Sequence, residues 1–117
     1  MMEPQSVIDL PTFEQIKNDM GVSFINEVVE AFCVETPLLM ARLQQSLADQ
    51  EADAFRTAAH SIKSASNSLG ALQFGALARE LELLAREGKL ADASPKVRTL
   101  IAGYDHVQRA LRSLCNG

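Results

Sequence analysis

Residues 60–71 read HSIKSASNSLGA, and their pattern decides the fold of the surrounding chain. On a helix that begins near Asp53, the apolar residues of this region recur at steps of three and four, which places them on one inward stripe. Gly70 is suited to end this helix in the left-handed conformation. The stretch therefore predicts an amphipathic helix with one face in a core. The stripe consists of Phe55, Ala58, Ala59, Ile62, Ala65 and Leu69.

The opposite face of this helix is polar, and core packing does not explain it. A neutral imidazole is a good nucleophile, and histidine retains a neutral fraction at physiological pH. Lys63 lies at i+3 from His60, so its ammonium can reach an anion placed on the ring. Nothing in this face walls the imidazole in, which favours an exposed acceptor for a phosphoryl group delivered by another protein. The polar face carries Arg56, His60, Lys63, Ser64 and Asn67.

The run AHSIKS at residues 59–64 resembles the histidine-containing phosphotransfer (HPt) domains of two-component phosphorelays. Ser66-Asn67, Leu69-Gly70-Ala71, Leu77 and Leu81-Glu82 extend the resemblance. The resemblance implies that His60 is the phosphoacceptor and that Lys63 neutralises the charge of the phosphate. It also implies that Ser64, at a position where the family often has glycine, serves as a small neighbour of the histidine.

Three further residues are expected to support His60. The family has a polar residue 22 positions after the histidine that can bond the imidazole, and here that position is Glu82. Arg86 lies four residues further on and could pair with Glu82, while Asn67 adds an amide near the ring. An exposed ion pair within one helix is the alternative interpretation of Glu82 and Arg86.

Composition indicates a single all-α domain. The chain has 117 residues, is 47% hydrophobic and contains one Tyr and no Trp, a mixture rich in helix formers and poor in strand formers. Residues 1–8 are expected to form a flexible N-terminal tail. A short helix from Pro11 to Met20, capped by Asp9 or Thr12, would lie across the end of a larger bundle.

Four longer helices follow in the predicted fold. The first spans Val22 to Ala48, where Pro37 should cause a kink rather than a break because the apolar pattern continues through it. The His60 helix comes next, then a helix over residues 71–87, then a last helix that begins at Ser94 or near Ala91. Short connections favour an antiparallel up-and-down four-helix bundle with the short N-terminal helix as its cap.

Several functional classes are disfavoured. The net charge of −4 and the absence of a basic run argue against nucleic-acid binding, and no apolar run approaches the roughly 20 residues of a membrane span. The N-terminus lacks the pattern of a secretory signal. Cys33 and Cys115 have no metal-ligand spacing and are expected to be reduced thiols. We therefore expect a cytoplasmic location.

Enzyme classes fit no better. Neither histidine has the Glu-x-x-His spacing of a metal-dependent bundle, and no glycine-rich loop or nucleophile and base arrangement is evident. The sequence therefore predicts a phosphocarrier without autonomous catalysis. A helical adaptor that uses the same exposed patch and carries no phosphate is the alternative.

The expected partners are receiver domains of a hybrid sensor kinase and of a response regulator. No acidic cluster of this chain suits a metal, so the Mg²⁺ needed for transfer is expected to come with the receiver. Met20 and Phe24 are proposed to dock the receiver, because the family commonly docks receivers on that side, and a monomer is the family expectation.

Overall fold

The computed structural model describes residues 7–116, and regular secondary structure within that range is entirely helical. A short helix, α1, precedes four long helices, and a 3₁₀ turn lies before the last of them. The elements are α1 (Leu10–Met20), α2 (Val22–Ala48), α3 (Ala52–Ser68), α4 (Leu72–Arg86), the 3₁₀ turn (Leu90–Asp92) and α5 (Ser94–Asn116).

Helices α2 to α5 form an antiparallel four-helix bundle, as predicted. Each packs against the helix that follows it, and α2 also packs against α5, which closes the ring. The most extensive contact is between α3 and α4. The His60 helix is therefore held most firmly against the helix that carries Glu82. Among residues 7–116, no helix combines the length and apolar character needed to cross a bilayer.

The predicted apolar stripe of α3 faces the core. Phe55 and Ile62 are completely buried, and they pack in one cluster with residues of every other helix, such as Leu43 of α2 and Leu111 of α5. Ala65 lies at the edge of this cluster and is partly buried. Because the core takes up this whole side of α3, the polar residues must face outward.

Helix α1 is attached to the end of the bundle beside the α3–α4 turn. The backbone N–H of Asp9 donates to the carbonyl of Gly70 at 2.7 Å, and Phe13 is buried in the core. Asp9 is the N-cap and accepts from the backbone N–H of Thr12 at 3.2 Å. Of the two predicted caps, Asp9 is therefore the one used.

The structure corrects the expected N-terminal tail. Val7 and Ile8 are buried among the core residues, so they are not part of a free tail; residues 1–6 lie outside the described range. These two buried side chains directly precede the Asp9 cap of α1. Two other boundaries agree with expectation, since α2 continues through Pro37 and α5 begins at Ser94.

Candidate functional site

His60 lies in the middle of α3 on its outward face. Its side chain is 56% exposed, although the adjacent Ala59 is completely buried. This contrast follows from the helical period, which turns successive residues by about 100° and so separates a core position from a surface position one residue away. The imidazole is accessible to another macromolecule while its backbone is fixed by the core.

Glu82 of α4 orients the ring. Its Oε2 lies 2.9 Å from Nδ1 of His60, and its side chain is only 5% exposed. An ionised carboxylate can only accept hydrogen bonds, so the hydrogen of this bond lies on Nδ1. In the neutral ring the other nitrogen, Nε2, then has no hydrogen and presents a lone pair.

Lys63 and Arg86 balance the charge of Glu82. The Nζ of Lys63 donates to Oε1 of Glu82 at 2.7 Å, and an Arg86 guanidinium nitrogen lies 3.7 Å from Oε2. The hydrogen bond from Lys63 is the main cause that lowers the pKa of Glu82; burial opposes it, and the bond with His60 adds to the lowering. Glu82 is therefore an anion at neutral pH in spite of its burial.

Small side chains give Glu82 the room to reach across to α3. Ala78 and Ala85 lie four residues before it and three residues after it, and both are buried. A buried carboxylate without partners would be strongly unfavourable. Here both carboxylate oxygens have partners, so the alternative of an exposed intrahelical pair between Glu82 and Arg86 is wrong: the acid is buried, and its shortest contacts are with α3.

The remaining predicted residues of α3 divide into two cases. Ser64 is exposed one turn beyond His60 and is small, as expected. Asn67 lies two turns beyond His60, and its carboxamide rests against Gly75 of α4, in the space that a β-carbon at Gly75 would occupy. A glycine inside a helical pattern signals such close contact, and this signal at Gly75 was missed. Asn67 thus contacts α4 at Gly75.

The predicted docking residues are exposed at the opposite end of the bundle from the α2–α3 turn. Met20, at the end of α1, is 54% exposed and Phe24, in the first turn of α2, is 47% exposed. Sequence reasoning missed three other exposed apolar residues of α2, which are Val22, Val34 and Leu38. Leu38 borders a groove of about 330 Å³ that is also lined by Ser61 of α3, next to the phosphoacceptor candidate in the chain.

Within residues 7–116, no group of three or more His, Cys, Asp or Glu side chains is arranged to hold a metal ion. Glu82, the carboxylate nearest to the imidazole, has both oxygens occupied by protein partners. The expectation that Mg²⁺ comes with a partner receiver stays a prediction.

Comparison with known proteins identifies a family and a similar fold. A family model described as the Hpt domain matches residues 27–110. The fold is similar to the crystal structure of histidine-containing phosphotransfer protein B (HptB) from Pseudomonas aeruginosa PAO1, with a TM-score of 0.87 and 22% sequence identity over 94% of this chain and 95% of that chain. No curated protein sequence gives a significant match.

The chain belongs to the Hpt domain family, because the family model covers most of its length. Members of this family are phosphocarriers rather than kinases and work with receiver domains in two-component relays. The resemblance inferred from residues 59–71 is confirmed, as is the all-α bundle.

Proposed function

We propose that His60 accepts a phosphoryl group from the aspartate of a receiver domain in a hybrid sensor kinase and passes it to the receiver aspartate of a response regulator. The observation that carries this proposal is the bond between Nδ1 of His60 and Glu82, at 2.9 Å. It fixes the hydrogen on Nδ1 and leaves Nε2 as the nucleophile of an exposed ring.

The bonds and electrons of the transfer balance without a proton donor or acceptor elsewhere in this chain. The Nε2 lone pair attacks phosphorus, the new N–P bond forms, and the P–O bond of the aspartyl phosphate breaks with its electrons on the carboxylate oxygen. The ring, which keeps its hydrogen on Nδ1, gains positive charge next to Glu82. The receiver supplies the aspartate and Mg²⁺, and the bundle supplies a positioned nucleophile in an in-line displacement.

Lys63 is proposed to neutralise phosphate charge in the phosphorylated state. Its ammonium is one helical turn from His60, and its side chain is 24% exposed, so it has access to the outer side of the ring. The small side chain of Ser64 leaves the approach to Nε2 open. Neither residue performs proton transfer in this scheme, and the chain acts as a phosphocarrier without autonomous catalysis.

Recognition of the receiver is proposed to involve Met20 and Phe24, whose exposed apolar surface is not used by the core. We further propose that this domain acts as a monomer in the cytoplasm. A monomer suffices because every residue assigned to the transfer lies on one bundle.

The proposed function is tested by incubating the protein with Mg²⁺ and a receiver domain previously phosphorylated with acetyl phosphate. Wild type is expected to acquire acid-labile, alkali-stable phosphate, and His60→Gln is expected to acquire none. His106→Gln is the matched control, because His106 is exposed on α5, away from the α3–α4 contact, and should be phosphorylated like wild type.

Circular dichroism and receiver binding of His60→Gln must match wild type for the result to count. If receivers bind wild type and no phosphate is transferred, the protein is a helical adaptor that uses the same patch. Equal labelling of wild type and His60→Gln would assign the phosphate to another residue.

A further inference from the structure

We propose that the negative charge of Glu82, beyond its hydrogen bond, keeps Nδ1 of the phosphorylated His60 protonated and so makes the imidazole a good leaving group for the second transfer. This inference rests on the proposed function and deepens it. It makes Glu82 a positioning residue with a separate electrostatic role in phosphoryl release.

The reason lies in the charge of the ring during release. When phosphorus moves from Nε2 to an aspartate oxygen, the N–P bond breaks with its electron pair on Nε2. If Nδ1 carries a hydrogen, the positively charged ring becomes a neutral imidazole, and the O–P bond forms without movement of any proton. If Nδ1 has lost its hydrogen, the ring must leave as an anion, which is far less favourable.

The structure provides an anion at the place where this charge matters. Glu82 Oε2 lies 2.9 Å from Nδ1 in a position that is 5% exposed, where solvent screens an interaction less than it does at the surface. An amide in the same place could accept the same hydrogen bond but would carry no charge. The charge of the carboxylate therefore stabilises the protonated, positively charged ring in addition to the hydrogen bond.

Other charges around the ring act in both directions. Lys63 and Arg86 contact Glu82 and weaken its effect on the ring, and Arg56 lies one turn before His60 on α3. On the far side of α3, Glu35 and Arg42 of α2 line the groove beside Ser61 and are of opposite charge. The carboxylate bonded to Nδ1 is the only one of these groups in direct contact with the ring among residues 7–116. The charged groups around the ring are Arg56, Lys63, Glu82, Arg86 and, from α2, Glu35 and Arg42.

The test compares phosphate loss from wild type and Glu82→Gln between about pH 5 and pH 9, a range wide enough to record a midpoint that moves in either direction. Phosphoramidate loads the histidine, and ³¹P NMR follows both hydrolysis and transfer to an added receiver with Mg²⁺. In wild type the phosphohistidine should become long-lived only above a midpoint pH. In Glu82→Gln this midpoint should fall by about 1 pH unit, the smaller end of the effect of an adjacent opposite charge.

Control variants separate charge from packing. Glu80→Gln removes an exposed carboxylate of α4 that pairs with Lys96 at 3.8 Å, and it should leave the midpoint unchanged. Arg86→Gln removes a cation from Glu82 at a side chain that is 61% exposed, so it should fold normally and move the midpoint upward. In Glu82→Gln, Lys63 loses its carboxylate partner and could bind the phosphate instead. Adding Lys63→Gln to that variant shows whether such binding changes the lifetime of the phosphohistidine.

Coincident pH profiles for wild type, Glu82→Gln and Arg86→Gln would overturn the inference while leaving phosphorylation of His60 intact. If wild type takes no phosphate from either phosphoramidate or a phosphorylated receiver, the proposed function fails and this inference fails with it. A midpoint that falls in Glu82→Gln and rises in Arg86→Gln supports it, because a purely structural role would not produce shifts of opposite sign.

Discussion

The Nζ of Lys63 lies 2.7 Å from Oε1 of Glu82, on the same carboxylate whose Oε2 bonds the His60 ring. The lysine expected to meet the phosphate is thus already paired in the unphosphorylated protein. A phosphoryl group on Nε2 would have to compete with Glu82 for the ammonium. A dianionic phosphate is a strong competitor, and the partial exposure of Lys63 gives it freedom to turn outward.

Replacement of Lys63 by Ala tests this competition. We expect phosphohistidine to be hydrolysed about tenfold faster, or phosphoryl transfer to be about tenfold slower. This is the effect of losing one charge-assisted hydrogen bond of roughly 1.5 kcal/mol. The measurement is the decay of labelled phosphate on the protein and its transfer in rapid-quench experiments with a receiver. Lys96→Ala is the matched control, since the Lys96 side chain is 42% exposed and pairs only loosely with Glu80 at 3.8 Å. Unchanged kinetics would remove Lys63 from the assigned role.

The sequence predicted the bundle well, because apolar spacing alone determines which face of each long helix is buried. The α3 stripe around Phe55 and Ile62 is an example, and the left-handed Gly70 (φ +84°) is another. Burial of Val7 and Ile8 could not be predicted from periodicity, since two residues before a helix cap form no repeating pattern. Tertiary contact with the bundle decides their position.

The site was predictable in part for a similar physical reason. Helical spacing placed Lys63 beside His60, and the family position pointed to Glu82. The contact of Lys63 with Glu82 crosses from α3 to α4 and depends on the depth at which the carboxylate lies. A helical wheel of one element contains no information about that depth. The contact of Asn67 with Gly75 also joins two helices, but the glycine within the α4 pattern was a sequence signal for it.

The lowered pKa of Glu82 predicts a specific acid sensitivity. The folded-state pKa lies below the ordinary value of 4.5, mainly because Lys63 donates to the carboxylate. Such a group contributes stability that is fully present above about pH 4.5 and is lost as the pH falls through the lower folded-state value. In urea unfolding at about pH 7 and about pH 3, Glu82→Gln should therefore lose less free energy of unfolding on acidification than wild type does.

The exposed carboxylate of Glu80 provides the comparison for this measurement. Glu80→Gln should retain the wild-type difference between the two pH values, because its removal leaves the pairs of Glu82 intact. If Glu82→Gln loses as much free energy of unfolding on acidification as wild type does, the ion pairs of Glu82 do not contribute to the pH dependence of folding.

Replacement of Gly70 by Ala should destabilise the fold more than the same replacement at a left-handed glycine with open space around it. Its φ is +84°, and a β-carbon there would lie 2.9 Å from the backbone oxygen of Asp9. Gly88 has a similar φ of +74° but nothing within 4 Å of the corresponding position. Gly88→Ala should therefore cost about 1–2 kcal/mol, the conformational penalty alone, and Gly70→Ala should cost more because α1 must also shift. Equal midpoints in urea unfolding for the two variants would show that the backbone at Asp9 shifts without loss of stability.

Receiver docking through Met20 and Phe24 can be distinguished from docking near Leu38 of α2. Met20→Ser and Phe24→Ser should each raise the Kd for a receiver domain by about tenfold, as expected when an apolar side chain of a binding site is lost. Leu38→Ser is the matched control, because Leu38 is equally apolar and exposed on the same helix, beside the groove near Ser61. Titration of a fluorescently labelled receiver measures all three variants without requiring phosphate transfer. A larger loss for Leu38→Ser than for Phe24→Ser would place the receiver over the α2–α3 groove and exclude the proposed patch as the main contact.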